Sequence, residues 1–509
     1  MPKNLFSEED KRIFKKKGLT EDEVLYQVNL FKREREALRL NRPCRIGDGI
    51  IVIPDSGRDH LTAIHDRASE EGIMIKFVPA SGAASRMFRD WYGYYEAENF
   101  DRSGKGADII NDIRKYPFYN DLTDVISQDG SDIKELSNSG EYRAILEYVL
   151  TERGLNYAHL PKALIRFHRY AERCRTALEE HLVEAALYVR NGKGEAGIHL
   201  TISEEHIEGI RDFIKNVRKD YEEKYDVKFN LSLSTQHPST DTIALDDENK
   251  PFRDAEGQLV FRPGGHGALL KNLNEIDSDI IFVKNIDNIV PDRMKDETVL
   301  YKKILGGCLL TLQRDIFGYL RILKDKGLDE KKLEEIVSFS KEKLSATFPC
   351  SFNTFSLEEK SDFLFNRLNR PLRVCGVVRN AGEPGGGPFW VEEADGKQSL
   401  QIVESAQVDL ESETQRNIWE SATHFNPVDL VCGVRDFRGQ PFDLKQFVDK
   451  DTYLIVEKSM EGRSLRALER PGLWNGSMAG WNTVFVEVPI ATFNPVKTVD
   501  DLLRKEHMP

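Results

Sequence analysis

A chain of 509 residues exceeds the length at which one hydrophobic core usually stops growing, so two or three domains, or one domain with large insertions, are expected. Its 40% hydrophobic and 31% charged residues describe an ordinary globular protein and exclude bulk disorder. A formal net charge of -13 argues against a protein that tracks nucleic acid or an anionic membrane through a general basic surface, so an anionic ligand needs a local basic site.

The opening stretch MPKNLFSEEDKRIFKKKGLTEDEV has no apolar leader, and no later window offers 18 uninterrupted apolar residues, which points to a cytoplasmic protein. Up to about Leu40, charged and apolar residues alternate at helical spacing, as in EDEVLYQVNLFKREREALRL, and residues 1–70 are expected to form a helical cap. From GIIVIPDSG onward, short β-branched runs alternate with helical stretches: GIMIKFVPASG, GIHLTIS, KFNLSLST and SDIIFVKNIDN. That alternation is the mark of α/β layers with a largely parallel sheet. Two blocks interrupt it. Residues 91–155 are polar and partly helical and read as an insertion in an α/β core spanning 71–295, while 296–370 reads as a helical insertion. Strands return after Pro371 (LRVCGVVR, PFWVEE, SLQIVESAQVD, DLVCGVRD, TYLIVEK, NTVFVEVPI), so 371–509 is read as the remainder of the core. The six cysteines include no C-x-x-C pair, which excludes a zinc knuckle or redox motif and leaves them as buried, reduced small hydrophobes.

Five stretches carry possible chemistry. In KFVPASGAASRMF a strand runs into Ala80, Ser81, Gly82, Ala84 and Ser85, then Arg86; a turn this small lets backbone N–H groups approach a phosphate, or is merely a tight strand-to-helix turn. In LPKALIRFH, Pro161 either aims Lys162 at a phosphate or simply opens a helix. Gln236, in STQHPSTDTIAL, and the FRPGGHGALL loop with Gly265 and His266 offer hydrogen-bonding groups beside bare backbone, where a flat ring or ribose could lie. The strand DIIFVKN runs on into Ile286, Asp287 and Asn288; ligands of an open α/β sheet gather beyond the carboxyl ends of its strands, and a carboxylate there suits Mg²⁺, or else stops the strand. Finally, the C-terminal LWNGSMAGWNTVFVEVPIATFNPVKTVDDLLR places Asn475, Asn482 and Lys497 among Trp and Gly, before a helix expected from Val499.

In chain order, PASGAASRM, LPKAL, PGGHGAL, FVKNIDN and FNPVKTVDDLL resemble the sugar-nucleotide pyrophosphorylases, most closely the UDP-sugar branch, over roughly residues 71–509 with gaps at both insertions. The whole chain also resembles a bacterial family described only as a domain of unknown function. The first loop departs from the pyrophosphorylase pattern: Ala84 and Ser85 stand where glycine and threonine are usual, and residues 87–160 separate the loop from the Pro-Lys pair. An added Cβ matters if that backbone needs φ > 0, and an insertion at that point is expected near the mouth of the site, where it could form a lid.

What this resemblance implies is a Rossmann-like mixed sheet of the nucleotide-diphospho-sugar transferase (GT-A-like) type with helical insertions. It further implies Mg²⁺-dependent joining of a sugar 1-phosphate to a nucleoside triphosphate, with a lean toward UTP, and no nucleic-acid or membrane partner. By the same resemblance Arg86 and Lys162 hold the triphosphate and leaving pyrophosphate, Lys497 the sugar phosphate, and Asp287 the metal. Ala80, Ser81, Gly82, Ser85, Gln236, Gly265 and His266 line the nucleotide; Glu404 accepts sugar hydroxyls, and Asn475 or Asn482 touches the sugar or completes the metal shell. The loop NAGEPGGGPFW is either a further sugar-side element or a long hairpin loop. A GT-A glycosyltransferase, which usually shows Asp-x-Asp, and a non-catalytic sugar-nucleotide sensor are the competing readings.

Overall fold

Strands buried on both faces read as continuous apolar runs. In the computed structural model, which describes residues 5–33, 36–82, 84–97, 105–325, 329–380, 382, 385–393 and 396–509, those runs organise a mixed α/β fold. The chain divides into two compact units: residues 1–65, 236–282 and 304–488 form the first, and 66–235, 283–303 and 489–509 the second.

In the first unit the strands Gly49–Ile51, Asn482–Glu487 and Leu372–Arg379 run parallel, with Leu372 opposite Asn482, and Asp429–Gly433 joins Leu372–Arg379 antiparallel. A second sheet of the same unit orders Phe261–Arg262, Thr242–Leu245, Arg463–Glu469 and Leu454–Met460. Its apolar face buries Ile243, Leu245 and Leu468 against Phe14, Val24 and Val28 of the N-terminal helices Glu8–Lys17 and Glu21–Leu30. A third joins Leu40–Pro43, Gly387–Glu392 and Gln398–Val403. The region read as a helical insertion holds the helices Lys295–Lys324, Glu330–Leu344 and Leu357–Leu368.

The N-terminal helical pattern fails at its end. Leu40 is paired as a strand with Val391, and its N–H and C=O are both taken by the Gln415 side chain (2.7 and 3.0 Å), so tertiary pairing overrides local propensity. Arg463–Glu469 (RSLRALE) is likewise a strand that the alternating charges concealed. Of the cysteines, Cys44, Cys308, Cys375 and Cys432 are buried as expected, but Cys174 is half-buried and Cys350 exposed. Residues 381, 383 and 384 of the NAGEPGGGPFW loop lie outside the described residues.

In the second unit Met74–Pro79, Glu195–Ile202 and Lys228–Thr235 form successive parallel pairs. Helices Arg89–Glu96, Lys105–Asp112, Tyr119–Gln128, Ile133–Ser139 and Tyr142–Leu150 form the first interrupting block. Aromatic contacts tie the block together and to the segment after it: Trp91 meets Tyr116 edge-on at 5.1 Å and Phe118 meets Tyr157 at 5.3 Å. The helix Ala177–Tyr188 begins with a capping box from Thr176 and Glu179 and is buried almost all round, although it carries Glu180, His181 and Glu184. No helix among the described residues is long and apolar enough to cross a membrane.

Candidate functional site

The tip of the strand Ile280–Lys284 and the residues just beyond it act as a clamp in the second unit. His181 Nε2 donates to the Ile286 carbonyl (3.1 Å), the Asp287 carbonyl accepts the Val496 N–H (3.0 Å), and Asn288 Oδ1 accepts the Asn494 N–H (3.0 Å). The two asparagines of the NIDN sequence thus serve the backbone: Asn285 offers its carbonyl to the Asn288 N–H in a turn, and Asn288 captures the C-terminal segment. Between them Asp287 is left for other work.

Lys162 and Lys497, 335 positions apart, converge on that carboxylate. Lys162 Nζ donates to Asp287 Oδ2 (3.2 Å) and to the Val496 carbonyl (3.0 Å), and Lys497 Nζ donates to the same Oδ2 (3.0 Å). Pro161, with φ -68°, leads into the short turn Lys162–Leu164 and sets the direction of Lys162. Lys497 is set by Asp501, whose Oδ2 accepts the N–H groups of Lys497 and Thr498 (2.7 and 2.8 Å), and the next N–H, of Val499, bonds Met87 O. The helix expected from Val499 is a short 3₁₀ turn, Val499–Leu503. Farther on, His507 Nδ1 meets His168 Nε2 at 2.9 Å, so the chain end is also pinned.

Burial opposes the charge on Asp287, but Lys497 and Lys162 outweigh it and hold the carboxyl below its ordinary range. Burial also lowers Lys162, partly countered by Asp287 and reinforced by Lys497. The lysines differ in access: the Lys162 side chain is 13% exposed, that of Lys497 53%. Among the described residues Asp287 Oδ1 is buried without a hydrogen-bond partner. Among the described residues no cluster of three or more His, Cys, Asp or Glu is placed to hold a metal, so the protein offers one hard oxygen at this point. That donor set fits Mg²⁺, which takes one or two carboxylates and fills its remaining positions with phosphate oxygens and water.

The small-residue loop lies in the same unit. Ala80 is buried, with its N–H on Thr201 O (2.9 Å), and Ser81 O accepts from Ser203 Oγ (3.0 Å). The segment carrying Lys162 returns to this loop: Ala84 N–H bonds Leu160 O (3.0 Å) and Lys162 N–H bonds Gly82 O (3.3 Å). The helical block between them therefore leaves and re-enters at one place. Gly82, Ser85 and Arg86 are exposed, a Cβ on Gly82 would meet nothing within 4 Å, and Arg86 has no ion pair among the described residues. Ala84 and Ser85 adopt a 3₁₀ turn without positive φ, so their Cβ atoms introduce no strain. Ala83 lies outside the described residues.

The first unit gathers a different set. His266 stacks on Trp474 with ring centroids 4.2 Å apart, its Nδ1 accepts the Leu473 N–H (3.1 Å), and its Nε2 lies 4.0 Å from Glu404 Oε1. Burial lowers His266 to about 4 and raises Glu404, so the ring is neutral with its proton on Nε2. Asn475 Nδ2 donates to Ile402 O (2.9 Å), and its Oδ1 and His266 Nε2 both crowd the bare side of Gly472. Glu404, His266 and Asn475 are thus neighbours. Asn482 is elsewhere: its Oδ1 accepts from Arg367 (2.5 Å) and its Nδ2 donates to Leu368 O (3.1 Å), which occupies it structurally. Gln236 is half-buried just past the strand Lys228–Thr235.

The glycines around His266 do not leave backbone bare for a ligand as the sequence suggests. A Cβ on Gly264 would stand 2.6 Å from Thr240 O and one on Gly267 2.0 Å from Pro471 O; the chain itself fills those faces. Gly265 supplies a φ of +70°. Gly267→Ala is therefore expected to destabilise the protein by about 1–3 kcal/mol through backbone displacement, measured as a shift in the urea midpoint.

Sequence reasoning missed the buried charges behind the strand tip. Lys76 and Lys284 each donate to one oxygen of Glu184 at 2.7 Å, all three essentially inaccessible to solvent. The available signal was a lysine inside an apolar strand in both MIKFVP and IIFVK, where a fully buried lysine demands a partner.

The profile of the family described as Domain of unknown function (DUF4301) matches residues 7–508. No protein of curated function matches the chain. Among solved structures the chain is similar to a mutant UDP-glucose pyrophosphorylase from Leishmania major, at 14% identity and TM-score 0.46, over 97% of this chain and 77% of that one. It is similar to the UDP-glucose phosphorylase from Trypanosoma brucei at 14% and 0.45, over 97% and 76%. It is also similar to the uridine diphosphate N-acetylglucosamine pyrophosphorylase from Trypanosoma brucei at 11% and 0.47, over 94% and 74%.

Proposed function

The chain belongs to the DUF4301 family, and we propose that it is a nucleotidyltransferase that joins a sugar 1-phosphate to a nucleoside triphosphate, UTP in the first instance, and releases pyrophosphate. The observation that carries this reading is the meeting of Lys162 and Lys497 on one oxygen of Asp287 while the other oxygen is buried and unpartnered. Two cations and one free hard oxygen form a site for phosphate groups, and no nucleophile is needed.

In the proposed reaction a sugar phosphate oxygen attacks the α-phosphorus in line, the new P–O bond forms as the bond to the β-phosphate bridge breaks, and pyrophosphate leaves with the electron pair. Catalysis is positioning and charge neutralisation. The exposed Arg86 and the loop around Gly82 receive the triphosphate, and Lys162 neutralises the leaving pyrophosphate. Half-exposed Lys497 leaves Asp287 to hold the sugar phosphate. Asp287 Oδ1 would hold Mg²⁺, which would supply positive charge to neutralise the phosphates.

The test is pyrophosphate release by the whole protein with Mg²⁺, each nucleoside triphosphate in turn and a panel of sugar 1-phosphates. Release that requires one triphosphate and one sugar phosphate is the expected result. Lys497→Ala is expected to lower it by about a hundredfold or more. Because Lys497 is half exposed, the same change is expected to alter stability by less than about 1 kcal/mol. Tight nucleotide binding without release across the panel would replace this reading with that of a sugar-nucleotide sensor.

A further inference from the structure

The helix Leu357–Leu368 carries Arg367 in its last turn, and Arg370 follows just before Pro371 and the strand Leu372–Arg379. Both stand where that strand and its parallel neighbour Asn482–Glu487 begin. This is the end opposite to the carboxyl ends, where ligands of α/β sheets usually gather. A cavity of about 1120 Å³ opens there, and every residue that lines it belongs to the first unit, whereas Asp287, Lys162 and Lys497 belong to the second.

The chemistry of the cavity is uneven. Arg367 Nη1 donates to Asn482 Oδ1 (2.5 Å), and Arg370 donates from Nε to Asn366 O (3.0 Å) and from Nη1 to Gly480 O (3.4 Å). Neither guanidinium has a carboxylate within 4.0 Å among the described residues, although Glu393 exerts a longer-range pull on both. Burial lowers Arg367 to about 10, with Arg370 adding to it, and burial lowers Arg370 as well. Glu392, another lining residue, is occupied by Arg39 (3.3 Å) and Asn41 (2.9 Å). Amide side chains, Asn366, Gln398 and Gln401, also line the cavity; Gln398 Oε1 is taken by Arg42 (2.8 Å) and Gln401 Nε2 by Ser399 and Ala479 (both 3.0 Å), which leaves the Asn366 amide, Gln398 Nε2 and Gln401 Oε1 for hydroxyl groups among the described residues. Glu36, Glu393, Asp449 and Asp451 line the cavity too, but none forms an ion pair with either guanidinium, so the two arginines are open to an anion, and guanidinium matches phosphate in shape as well as charge.

We propose that this cavity binds a small phosphate ester bearing hydroxyl groups, with Arg367 and Arg370 on the phosphate and the amide wall on the hydroxyls. The ligand is distinct from anything held at Asp287, so the proposal stands whether or not the nucleotidyltransferase reading does.

Calorimetric titration of the full chain with a hexose 6-phosphate, the corresponding free hexose and inorganic phosphate tests it. The ester is expected to bind more tightly than either other probe. Arg367→Gln with Arg370→Gln is expected to weaken it by about tenfold or more. Lys497→Ala is expected to leave it unchanged. Arg370→Gln alone provides a milder variant if the double change impairs folding, and is expected to weaken the ester in the same direction. Ester binding that survives the arginine changes, or that is lost in Lys497→Ala, overturns the assignment. Equal affinity for ester and inorganic phosphate overturns the hydroxyl-bearing class, and no binding of any probe at millimolar concentration overturns the site.

Discussion

Asp287→Asn is expected to reduce pyrophosphate release by roughly a hundred- to a thousandfold, the scale seen when a group fixed on developing charge is removed. Asparagine keeps the shape of the side chain, so the clamp formed by Ile286, Asp287 and Asn288 on the C-terminal segment, which uses backbone groups and Asn288, is retained. What is lost is the charge that holds Lys162 and Lys497 together and the oxygen available to Mg²⁺. The change also carries a pH signature. The folded carboxyl titrates below its ordinary value of 3.8, so its contribution is complete above that value and disappears only as pH falls through the lowered one. In the variant that acid limb of stability vanishes. Burial and Lys497 then act on Lys162 without the opposing pull of Asp287, so its proton is lost at lower pH than in the parent. Activity in Asp287→Asn equal to the parent's would sink the assignment of Asp287.

Much of this site was legible residue by residue. Asp287 was marked by its place after an apolar strand, and Lys162 and Lys497 by prolines just before them. Their meeting on one oxygen was not legible, because it depends on how residues 494–499 return between the Asp287 and Met87 backbones, and no local pattern encodes such a return. The long interval before Lys162 reads as polar and partly helical, and only the bonds from Ala84 to Leu160 and from Lys162 to Gly82 show that the block begins and ends at one place. Local composition misled where the cause was tertiary. Glycines around His266 look like room for a ligand but make room for Thr240 and Pro471, and Leu40 looks helical but pairs with Val391. Asn482 stands in a Trp and Gly setting like that of Asn475, and only the fold separates the two: one serves Arg367, the other lies beside His266.

Glu184→Gln is expected to destabilise the second unit by roughly 3–5 kcal/mol, because it removes the buried carboxylate to which both Lys76 and Lys284 donate. Hydrogen exchange at the amides of Met74–Pro79 in the full chain locates the loss in that unit. The pH dependence separates the members of the cluster. Burial works against Glu184, but Lys284 and Lys76 outweigh it and hold its carboxyl well below 4.5, so the stability it supplies is present above that value and lost on acidification. Lys76 moves the other way: burial, reinforced by Lys284 and Lys302 and opposed by Glu184, lowers it from 10.5 to about 7. Across that window the unfolded chain holds a proton that the folded one does not, so stability from Lys76 rises as pH increases from about 7 toward 10.5. Lys76→Met removes this slope and leaves Glu184 paired with Lys284 alone, so it is expected to cost much less than Glu184→Gln. Equal losses in the two variants, or a slope that persists in Lys76→Met, would show that the cluster does not act as a charge-balanced unit behind the strand that delivers Asp287.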